Sequence, residues 1–508
     1  MGYNALSALK ILMQFDSILY LIGGGLFGML AGLIPGLSGS TAIILLIPLT
    51  FGMDPNQAFL TLVSAYGAST VGGSLTAIII GVPGQGKNAA TVFDGFPMSQ
   101  KGQAAEAVGA AAASSAYGGI FGALVLAFLI PVMRQVVLLF GPPEFLMLAV
   151  WGLSVIGVLT GRYLINGLIA VFIGLLLSFV GFNPVVGGIR YTFGSMYLWD
   201  GISMASVFIG FFAVSIVIDL AIKGVPIAGS RAKIHNAFKK MLVGLMAPIR
   251  HFALFIRCSA IGTIIGMIPG VGGIVAAFLA YGHAVQSSKD KSMFGKGDIR
   301  GVIGPESSNN SSAGGAMVPL LAFGIPGGEA TALMLGALMI HGISPGAQML
   351  KNHLTLVWVM IGALILSNIM ASLVAVLAAP QLVKVTTISP EYLVPIILSV
   401  SLVGSYSFHH RMFDVVVTVI MGILGYILKR FDIPTAPVVI AYILGSIMEK
   451  SFFRTLQIGR GSFMVFFHRP IAITLLLITT ITLMWPYVSS ALKRRRKTNS
   501  ISNKGEGA

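Results

Sequence analysis

The residues with the clearest potential for chemistry form a polar stretch, 305–312, between apolar runs. Its carboxylate, Glu306, is followed by serines and two asparagines. Such oxygens are ligands for a hard cation such as Na⁺, and a carboxylate within a membrane span can instead carry a proton. The pattern predicts a cation-coupling site, with a solvated loop as the alternative because charged residues lie just upstream. The predicted site comprises Glu306, Ser308, Asn309, Asn310 and Ser311.

Four breaks rich in Gly and Pro interrupt apolar runs at residues 35–41, 81–88, 269–273 and 324–329. A helix that starts at such a break presents free N–H groups and a partial positive charge, which suits a carboxylate. We expect Lys87 to contact an anionic substrate directly rather than only extend to a membrane interface. The alternative role for the glycines is close helix packing. The predicted substrate-binding residues are Gly36, Ser38, Gly39, Ser40, Gly84, Lys87, Asn88, Gly270, Gly272, Gly327 and Gly328.

The chain that positions these breaks is strongly apolar. Of its 508 residues, 56% are hydrophobic and 9% are charged, and the mean hydropathy is +0.91. A soluble chain carries about 25% charged residues, so most of this surface must face lipid. The single cysteine, Cys258, lies in an apolar run and is interpreted as a packing residue. We expect no disulfide framework, metal cluster or cofactor beyond a transported cation.

Apolar runs of membrane length follow one another along the chain, and a crossing helix needs about 20 residues. Candidate crossings lie at 17–33, 59–80, 104–132, 145–160, 163–180, 203–220, 252–268, 302–323, 354–379, 392–405, 413–428, 436–448 and 471–485. With shorter pieces between them, these runs predict an all-α polytopic membrane protein with about 12 transmembrane helices plus broken or re-entrant segments.

The net charge of +16 falls mostly between the apolar runs. Lys and Arg mark the cytoplasmic loops of membrane proteins, so we prefer an orienting role to nucleic-acid binding and expect no nucleic-acid partner. The basic segments 222–250 and 491–508 are therefore predicted to be cytoplasmic, and the N-terminus periplasmic. The N-terminus lacks the pattern of a signal peptide and is interpreted as uncleaved.

Motifs of the first half recur in order in the second half. Those at 34–36, 81–84, 141–145 and 181–184 reappear with an offset that rises from 234 to 250 residues. An even number of crossings must separate two cytoplasmic segments, and one extra helix follows the second repeat, so each repeat has an odd number. Two inverted repeats are therefore predicted, an arrangement typical of secondary transporters. The predicted segments are a first transmembrane repeat (17–221), a basic linker (222–250), a second repeat (251–468), an extra transmembrane helix (469–490) and a basic tail (491–508).

Two motifs resemble enzyme sites. Residues 81–87 are close to a phosphate-binding P-loop, but Asn88 replaces the hydroxyl residue and no surrounding α/β domain is predicted. Residues 36–39 resemble the GxSG motif of rhomboid intramembrane proteases, for which His283 or His341 would have to supply the base. We expect no enzyme activity, and a rhomboid-like serine protease stays the enzyme alternative.

Ordered motifs from about Gly23 to about Phe463 resemble the large membrane subunit of the tripartite tricarboxylate transporter family. They are Gly32-Leu33-Ile34-Pro35-Gly36, Pro48-Leu49-Thr50-Phe51-Gly52-Met53-Asp54-Pro55, Asp94-Gly95-Phe96-Pro97-Met98, Phe294-Gly295-Lys296-Gly297, Gly304-Pro305-Glu306-Ser307-Ser308-Asn309-Asn310 and Gly324-Ile325-Pro326-Gly327. Lys87 departs from the family pattern, in which this loop is more often neutral or acidic.

The resemblance implies a secondary transporter of the bacterial inner membrane that imports small organic carboxylates by symport with Na⁺ or H⁺. The family's substrates include tricarboxylates such as citrate, dicarboxylates and aromatic carboxylates. The implied partners are a periplasmic solute-binding protein, which delivers the substrate, and a small four-helix membrane subunit. A stand-alone carboxylate carrier without a binding protein and a membrane scaffold are the remaining alternatives.

Overall fold

The computed structural model describes residues 2–34, 37–160, 164–183, 185, 187–223, 237–382 and 390–484. In this part the chain is almost entirely helical, and its one strand pair, β1 (Gly181–Phe182) and β2 (Ile189–Arg190), forms a short antiparallel hairpin. Pro35, Gly36, part of the basic linker (224–236) and the basic tail (491–508) lie outside the described residues.

The helices are numbered in chain order. The first half contains α1 (Gly2–Leu12), α2 (Phe15–Leu33), α3 (Gly39–Leu46), α4 (Pro55–Ile79), α5 (Val92–Gln100), α6 (Ala104–Val137), α7 (Pro142–Thr160), α8 (Leu164–Ser178), α9 (Met204–Phe208) and α10 (Ser215–Lys223). There follow α11 (Ala237–Leu245), α12 (Ala247–Arg250), α13 (Phe252–Met267), α14 (Gly272–Ser287), α15 (Arg300–Phe323), α16 (Glu329–Ile340), α17 (Ala347–Asn352), α18 (Leu354–Leu382), α19 (Pro390–His409), α20 (Met412–Arg430), α21 (Thr435–Ile458), α22 (Met464–Phe467) and α23 (Pro470–Met484).

Six helices of the described chain are long and apolar enough to cross a membrane: α2, α4, α6, α18, α20 and α21. The pair Lys239–Arg250 and Phe252–Met267 passes the same test together, but it is bent by 74°. Further apolar helices, including α8 and α23, are only 10–17 residues long. The chain is therefore an all-α protein with several membrane crossings, whereas the predicted count of about 12 and the inverted repeats stay predictions.

The described residues form two compact units. One combines the chain up to Leu138 with residues 203–427, and the other combines residues 139–202 with those after Ile427. Each unit therefore takes a segment from each half of the sequence, and the predicted repeats 17–221 and 251–468 stay predictions.

In the larger unit, α4 is buried along its membrane-length window and packs on α2. Gly24, Gly28 and Gly32 are spaced four apart on α2 and face the backbone of α4. A Cβ at Gly28 would overlap the carbonyl oxygen of Ala65. Because residues four apart share a helix face, these glycines allow the two backbones to approach closely.

Helix α15 carries the polar stretch 305–312 and packs on both α6 and α13. Gly118 and Gly122 of α6 face backbone carbonyl groups of α15, and so do Gly262 and Gly266 of α13. Every residue of the stretch is buried. The alternative of a solvated loop is therefore wrong. Small residues on the neighbouring helices leave room for a polar helix that satisfies its own backbone groups.

Cys258 of α13 is fully buried at the contact with α14. Its Sγ lies 3.7 Å from the carbonyl oxygen of Ala280. This position agrees with its interpretation as a packing residue, because a buried thiol behaves as a small hydrophobic group.

In the smaller unit, α21 packs on α7 and α8. Glu449 of α21 accepts a hydrogen bond from Nδ2 of Asn183 at 2.9 Å and pairs with Nη1 of Arg190 at 2.7 Å. Both partners belong to the β-hairpin region, so the carboxylate of Glu449 ties that hairpin to α21.

Candidate functional site

The four glycine-rich breaks meet at one cavity in the larger unit, with a volume of about 170 Å³. Each break contributes lining residues, at 38–40, 85–87, 272–274 and 327–330. Tyr66 of α4, Gly266 of α13 and two residues of α15, Ser312 and Ala316, complete the wall. Chain segments far apart in sequence therefore line one small cavity inside the helical unit.

Helix α3 begins at the first break, where Ser38 forms a reciprocal cap with Thr41. The Thr41 N–H donates to Ser38 Oγ at 3.3 Å, and the Ser38 N–H donates to Thr41 Oγ1 at 3.2 Å. This cap determines where the helix starts, since it satisfies backbone donors that the helix itself cannot. The Gly39 N–H donates to Gln85 Oε1 at 3.4 Å and so links the first break to the second.

Lys87 lies in the 3₁₀ turn Gly86–Asn88 and lines the cavity. Its Nζ is 3.3 Å from the hydroxyl oxygen of Tyr66 and 4.5 Å from the centroid of the Tyr66 ring. A cation over an aromatic face is attracted by the quadrupole of the ring. Tyr66 therefore holds the ammonium group at the cavity wall.

Helices α14 and α16 begin at the third and fourth breaks. The Gly270 N–H donates to the carbonyl oxygen of Gly327 at 3.1 Å, which joins these two breaks. Gly270 has φ +77°, and Gly272 has φ +71°, a region of backbone conformation that favours glycine. The Gly328 N–H donates to Thr331 Oγ1 at 2.9 Å just before α16 begins at Glu329.

The cavity thus lies at the N-terminal ends of α3, α14 and α16. The first N–H groups of each helix have no partner within the helix and carry a partial positive charge. Lys87 adds a full positive charge, and the acidic residue Glu329 also lines the cavity. Three helix N-termini and an ammonium group together favour an anion, with Glu329 as an acidic group on the wall.

Behind the second break, the carboxylate of Glu306 is fully buried on α15. It accepts hydrogen bonds from Thr91 Oγ1 (2.5 Å) and Asn88 Nδ2 (3.2 Å) on Oε1, and from Ser74 Oγ (2.6 Å), Ser115 Oγ (3.0 Å) and Asn309 Nδ2 (3.2 Å) on Oε2. These donors are neutral and come from α4, α6, α15, the second break and Thr91, which directly precedes α5. A buried carboxylate is costly unless it is hydrogen-bonded, and this arrangement supplies donors to both of its oxygens.

The other predicted cation-site residues divide into two groups. Asn310 joins Glu306, because its Nδ2 donates to the Glu306 carbonyl oxygen at 3.2 Å and to Asn309 Oδ1 at 2.7 Å. Ser311 Oγ instead donates to the carbonyl oxygen of Ser259 on α13 at 2.8 Å. Ser308 also faces α13, and its Oγ is buried without a partner in the described part of the chain.

Of the predicted substrate-binding residues, those that line the cavity are Ser38, Gly39, Ser40, Lys87, Gly272, Gly327 and Gly328. The others have different positions. A Cβ at Gly84 would overlap the carbonyl oxygen of Gly32, so Gly84 serves close packing. The side chain of Asn88 hydrogen-bonds to Glu306. The Gly270 N–H donates to the carbonyl oxygen of Gly327 in the fourth break, and Gly36 lies outside the described residues.

The sequence pattern does not predict several of the residues that line the cavity, among them Gln85, Tyr66, Ser312 and Glu329. Gln85 and Glu329 lie within two of the glycine-rich breaks, so their place in a break already indicates that they can line the cavity. Tyr66 and Ser312 lie inside helices, where nothing in the local sequence distinguishes a cavity residue from a packing residue.

The enzyme motifs lack their required surroundings. Residues 81–87 follow the helix α4, whereas a P-loop follows a strand. Ser38 caps α3, and His341 Nε2 lies 3.3 Å from Thr50 Oγ1. Among the described residues no histidine hydrogen-bonds to Ser38 and no cluster of His, Cys, Asp and Glu could hold a metal ion. Nothing at this site supports a protease.

Several membrane-length helices, with a cavity formed where helices break inside the same unit, define a multi-pass membrane protein. The model of the tripartite tricarboxylate transporter TctA family matches residues 18–440. The chain belongs to this family of transporters, which confirms the resemblance found in the motifs.

Two proteins of Agrobacterium vitis are similar to this chain. One, described as an uncharacterized 52.8 kDa protein in the TAR-I ttuC' 3'region, is 34% identical over 484 residues, which cover 95% of each chain. The other, an uncharacterized protein in the TAR-II ttuC' 3'region, is 35% identical over 232 residues, which cover 45% of this chain and 96% of that protein. No solved structure matches.

Proposed function

We propose that this chain is the large permease subunit of a binding-protein-dependent secondary transporter that imports small organic carboxylates, of the tricarboxylate or dicarboxylate type. The observation that carries the proposal is the cavity in which Lys87 meets the N-termini of α3, α14 and α16. Membership of the tripartite tricarboxylate transporter family supports the same substrate class.

The chemistry of the cavity suits a carboxylate for two reasons. Charge-assisted hydrogen bonds are roughly twice as strong as neutral ones, and Lys87 supplies such a donor. The helix N-termini add a fixed partial positive charge that needs no reorganisation when an anion arrives. The volume of about 170 Å³ is below the roughly 300 Å³ at which drug-sized pockets begin, and this supports a small substrate.

A cation gradient is the proposed driving force, and Glu306 with Asn309 and Asn310 is the proposed coupling group. Asn88 hydrogen-bonds to the carboxylate of Glu306, and the residue before it, Lys87, lines the cavity. Asn88 therefore connects the proposed coupling group with the cavity. Asn88 Oδ1 is buried without a partner among the described residues. The carboxylate, this amide oxygen and the nearby hydroxyl groups are oxygen ligands for Na⁺, while Glu306 alone would serve a proton.

A periplasmic solute-binding protein and a small four-helix membrane subunit are the proposed partners, and the bacterial inner membrane is the proposed location. The family description, which names a tripartite system, supports these assignments. A stand-alone carboxylate carrier is the alternative within the same class.

Uptake by proteoliposomes tests the proposal. Radiolabelled citrate and succinate are supplied to vesicles that contain the chain and a candidate small subunit, with an imposed Na⁺ or pH gradient. A candidate binding protein is added or omitted. We expect gradient-dependent uptake only with the binding protein present. Uptake without it would favour the stand-alone carrier, and uptake of neither acid in any arrangement would contradict carboxylate transport.

A further inference from the structure

Gln85 lines the cavity, and only one of the two polar atoms of its side-chain amide has a hydrogen-bond partner among the described residues. Its side chain is buried, with 9% of the residue exposed, and it lines the cavity. Oε1 accepts a hydrogen bond from the Gly39 N–H at 3.4 Å, whereas Nε2 is buried without a hydrogen-bond partner in the described part of the chain. Leaving a buried donor unpaired costs about 1–3 kcal/mol, so the group is suited to a ligand that brings an acceptor.

The orientation of this amide follows from its neighbour. A backbone N–H can only donate, so the oxygen of the Gln85 amide must face Gly39, and the reverse orientation would set two donors against each other. Gly39 itself is confined, since a Cβ at this position would overlap Ser69 Oγ. The start of α3 therefore fixes Gln85 as a donor at the cavity wall.

Gln85 and Lys87 lie two residues apart on the same break and both line the cavity. An ammonium group has donors only, and the free half of the Gln85 amide is also a donor. A carboxylate presents acceptors on both of its oxygens and can satisfy both residues at once. A carboxamide has only one acceptor oxygen, so when each donor is paired with a separate ligand atom, one of the two donors meets the NH₂ group, which is an unfavourable contact.

We propose that Gln85 contacts the substrate directly, and that its Nε2 donates to an oxygen of the same ionised carboxylate that Lys87 binds. This pair of donors selects a carboxylate over the corresponding amide. The inference rests on the proposed carboxylate transport and adds to it a residue that determines specificity.

Equilibrium binding to the purified full-length chain in detergent tests this role, with radiolabelled citrate and succinate as probes and succinamide, the diamide of succinate, as a competitor. Gln85→Glu keeps the shape of the side chain, but its second carboxylate oxygen now faces the cavity as an acceptor. Gln85→Met keeps the length and removes hydrogen bonding. Gln103→Glu, at an exposed position before α6, is the matched control.

We expect Kd for the better-bound probe to rise about tenfold or more in Gln85→Met, and further in Gln85→Glu, with no change in Gln103→Glu. Gln85→Glu should also gain competition by succinamide relative to the wild type, a change of preference that a purely structural role would not produce. If one variant fails to fold, the other decides alone.

Kd within twofold of wild type in the folded variants would overturn the role of Gln85, as would a rise in Kd without any change of preference in folded Gln85→Glu. Binding of neither probe by the wild-type chain would likewise overturn the direct role of Gln85, whereas a lack of gradient-dependent uptake of either acid in proteoliposomes with the binding protein would contradict the proposed function itself. The two failures are therefore distinguishable.

Discussion

Asn88 donates a hydrogen bond from Nδ2 to Oε1 of Glu306 at 3.2 Å, although 218 positions separate the two residues in the chain. The residue before Asn88, Lys87, lines the cavity. One short turn, Gly86–Asn88, therefore connects the cavity wall with the buried carboxylate. Substitutions on its two sides should have separable effects, on substrate affinity at Lys87 and on energy coupling at Glu306.

Replacing Lys87 by Gln should raise KM for carboxylate uptake by about tenfold or more, equivalent to roughly 1.4 kcal/mol, because a charge-assisted contact is lost. Initial rates in proteoliposomes measure this. Lys101→Gln is the control, since Lys101 is exposed and donates to the carbonyl oxygen of Lys296 instead of facing the cavity. An unchanged KM at normal expression would remove Lys87 from the binding site but would leave the helix N-termini in place.

Glu306→Gln and Asn310→Ala should both abolish gradient-driven uptake while the protein stays folded. The amide of Gln has one acceptor oxygen and one NH₂ group, so it cannot replace a carboxylate surrounded by donors, and an ion without its water needs each oxygen ligand. Uptake is measured under imposed Na⁺ and pH gradients. Asp290→Asn, at an exposed position before α15, should behave as wild type. Wild-type rates and ion dependence in the two test variants would show that this cluster has only a structural role.

Gly28→Ala should destabilise the protein by about 1–3 kcal/mol, because its Cβ would overlap the backbone of Ala65 in α4. Gly23→Ala, on the same helix, is the matched control: nothing lies within 4 Å of its added Cβ, and Ala favours the helix over Gly. Thermal unfolding of the detergent-solubilised protein compares the two. Equal midpoints would show that α2 and α4 do not pack this closely.

The residues after Arg496 and the basic segment 222–250 should lie in the cytoplasm, and the N-terminus in the periplasm. The excess of Lys and Arg in the two basic segments determines this orientation. Fusions of the chain after Arg496 to a reporter that is active in only one compartment provide the measurement. Activity confined to the periplasm would reverse the arrangement, and with it the argument for inverted repeats.

The breaks could be located from sequence because Gly and Pro interrupt an apolar run whatever surrounds it. Lys87 and Asn88 show that the sequence alone does not predict the direction in which each side chain of a break points. In a 3₁₀ turn, successive residues lie about 120° apart, so one side chain faces the cavity and the next faces Glu306. The order of residues in the sequence does not tell which of the two side chains faces the cavity, whereas the geometry of the turn does.

The number of crossings was harder to predict for a physical reason. Helices α3 and α16 begin at breaks and are too short to span a bilayer, although each is apolar. Helix α15 has the opposite character, since its polar residues lower its hydropathy while the glycine faces of α6 and α13 bury it. Both cases depend on contacts between segments that are distant in sequence, and the length of an apolar run does not predict such contacts.

Cys258 is the one cysteine of the chain, and it is fully buried where α13 meets α14. A water-soluble maleimide cannot reach this thiol in the folded protein, so the natural chain has no labelling background. Single cysteines introduced at helix ends would report the side of the membrane on which each lies, without removal of any natural residue. The native thiol becomes reactive only when α13 and α14 separate, so its labelling in the unaltered chain reports loss of native packing.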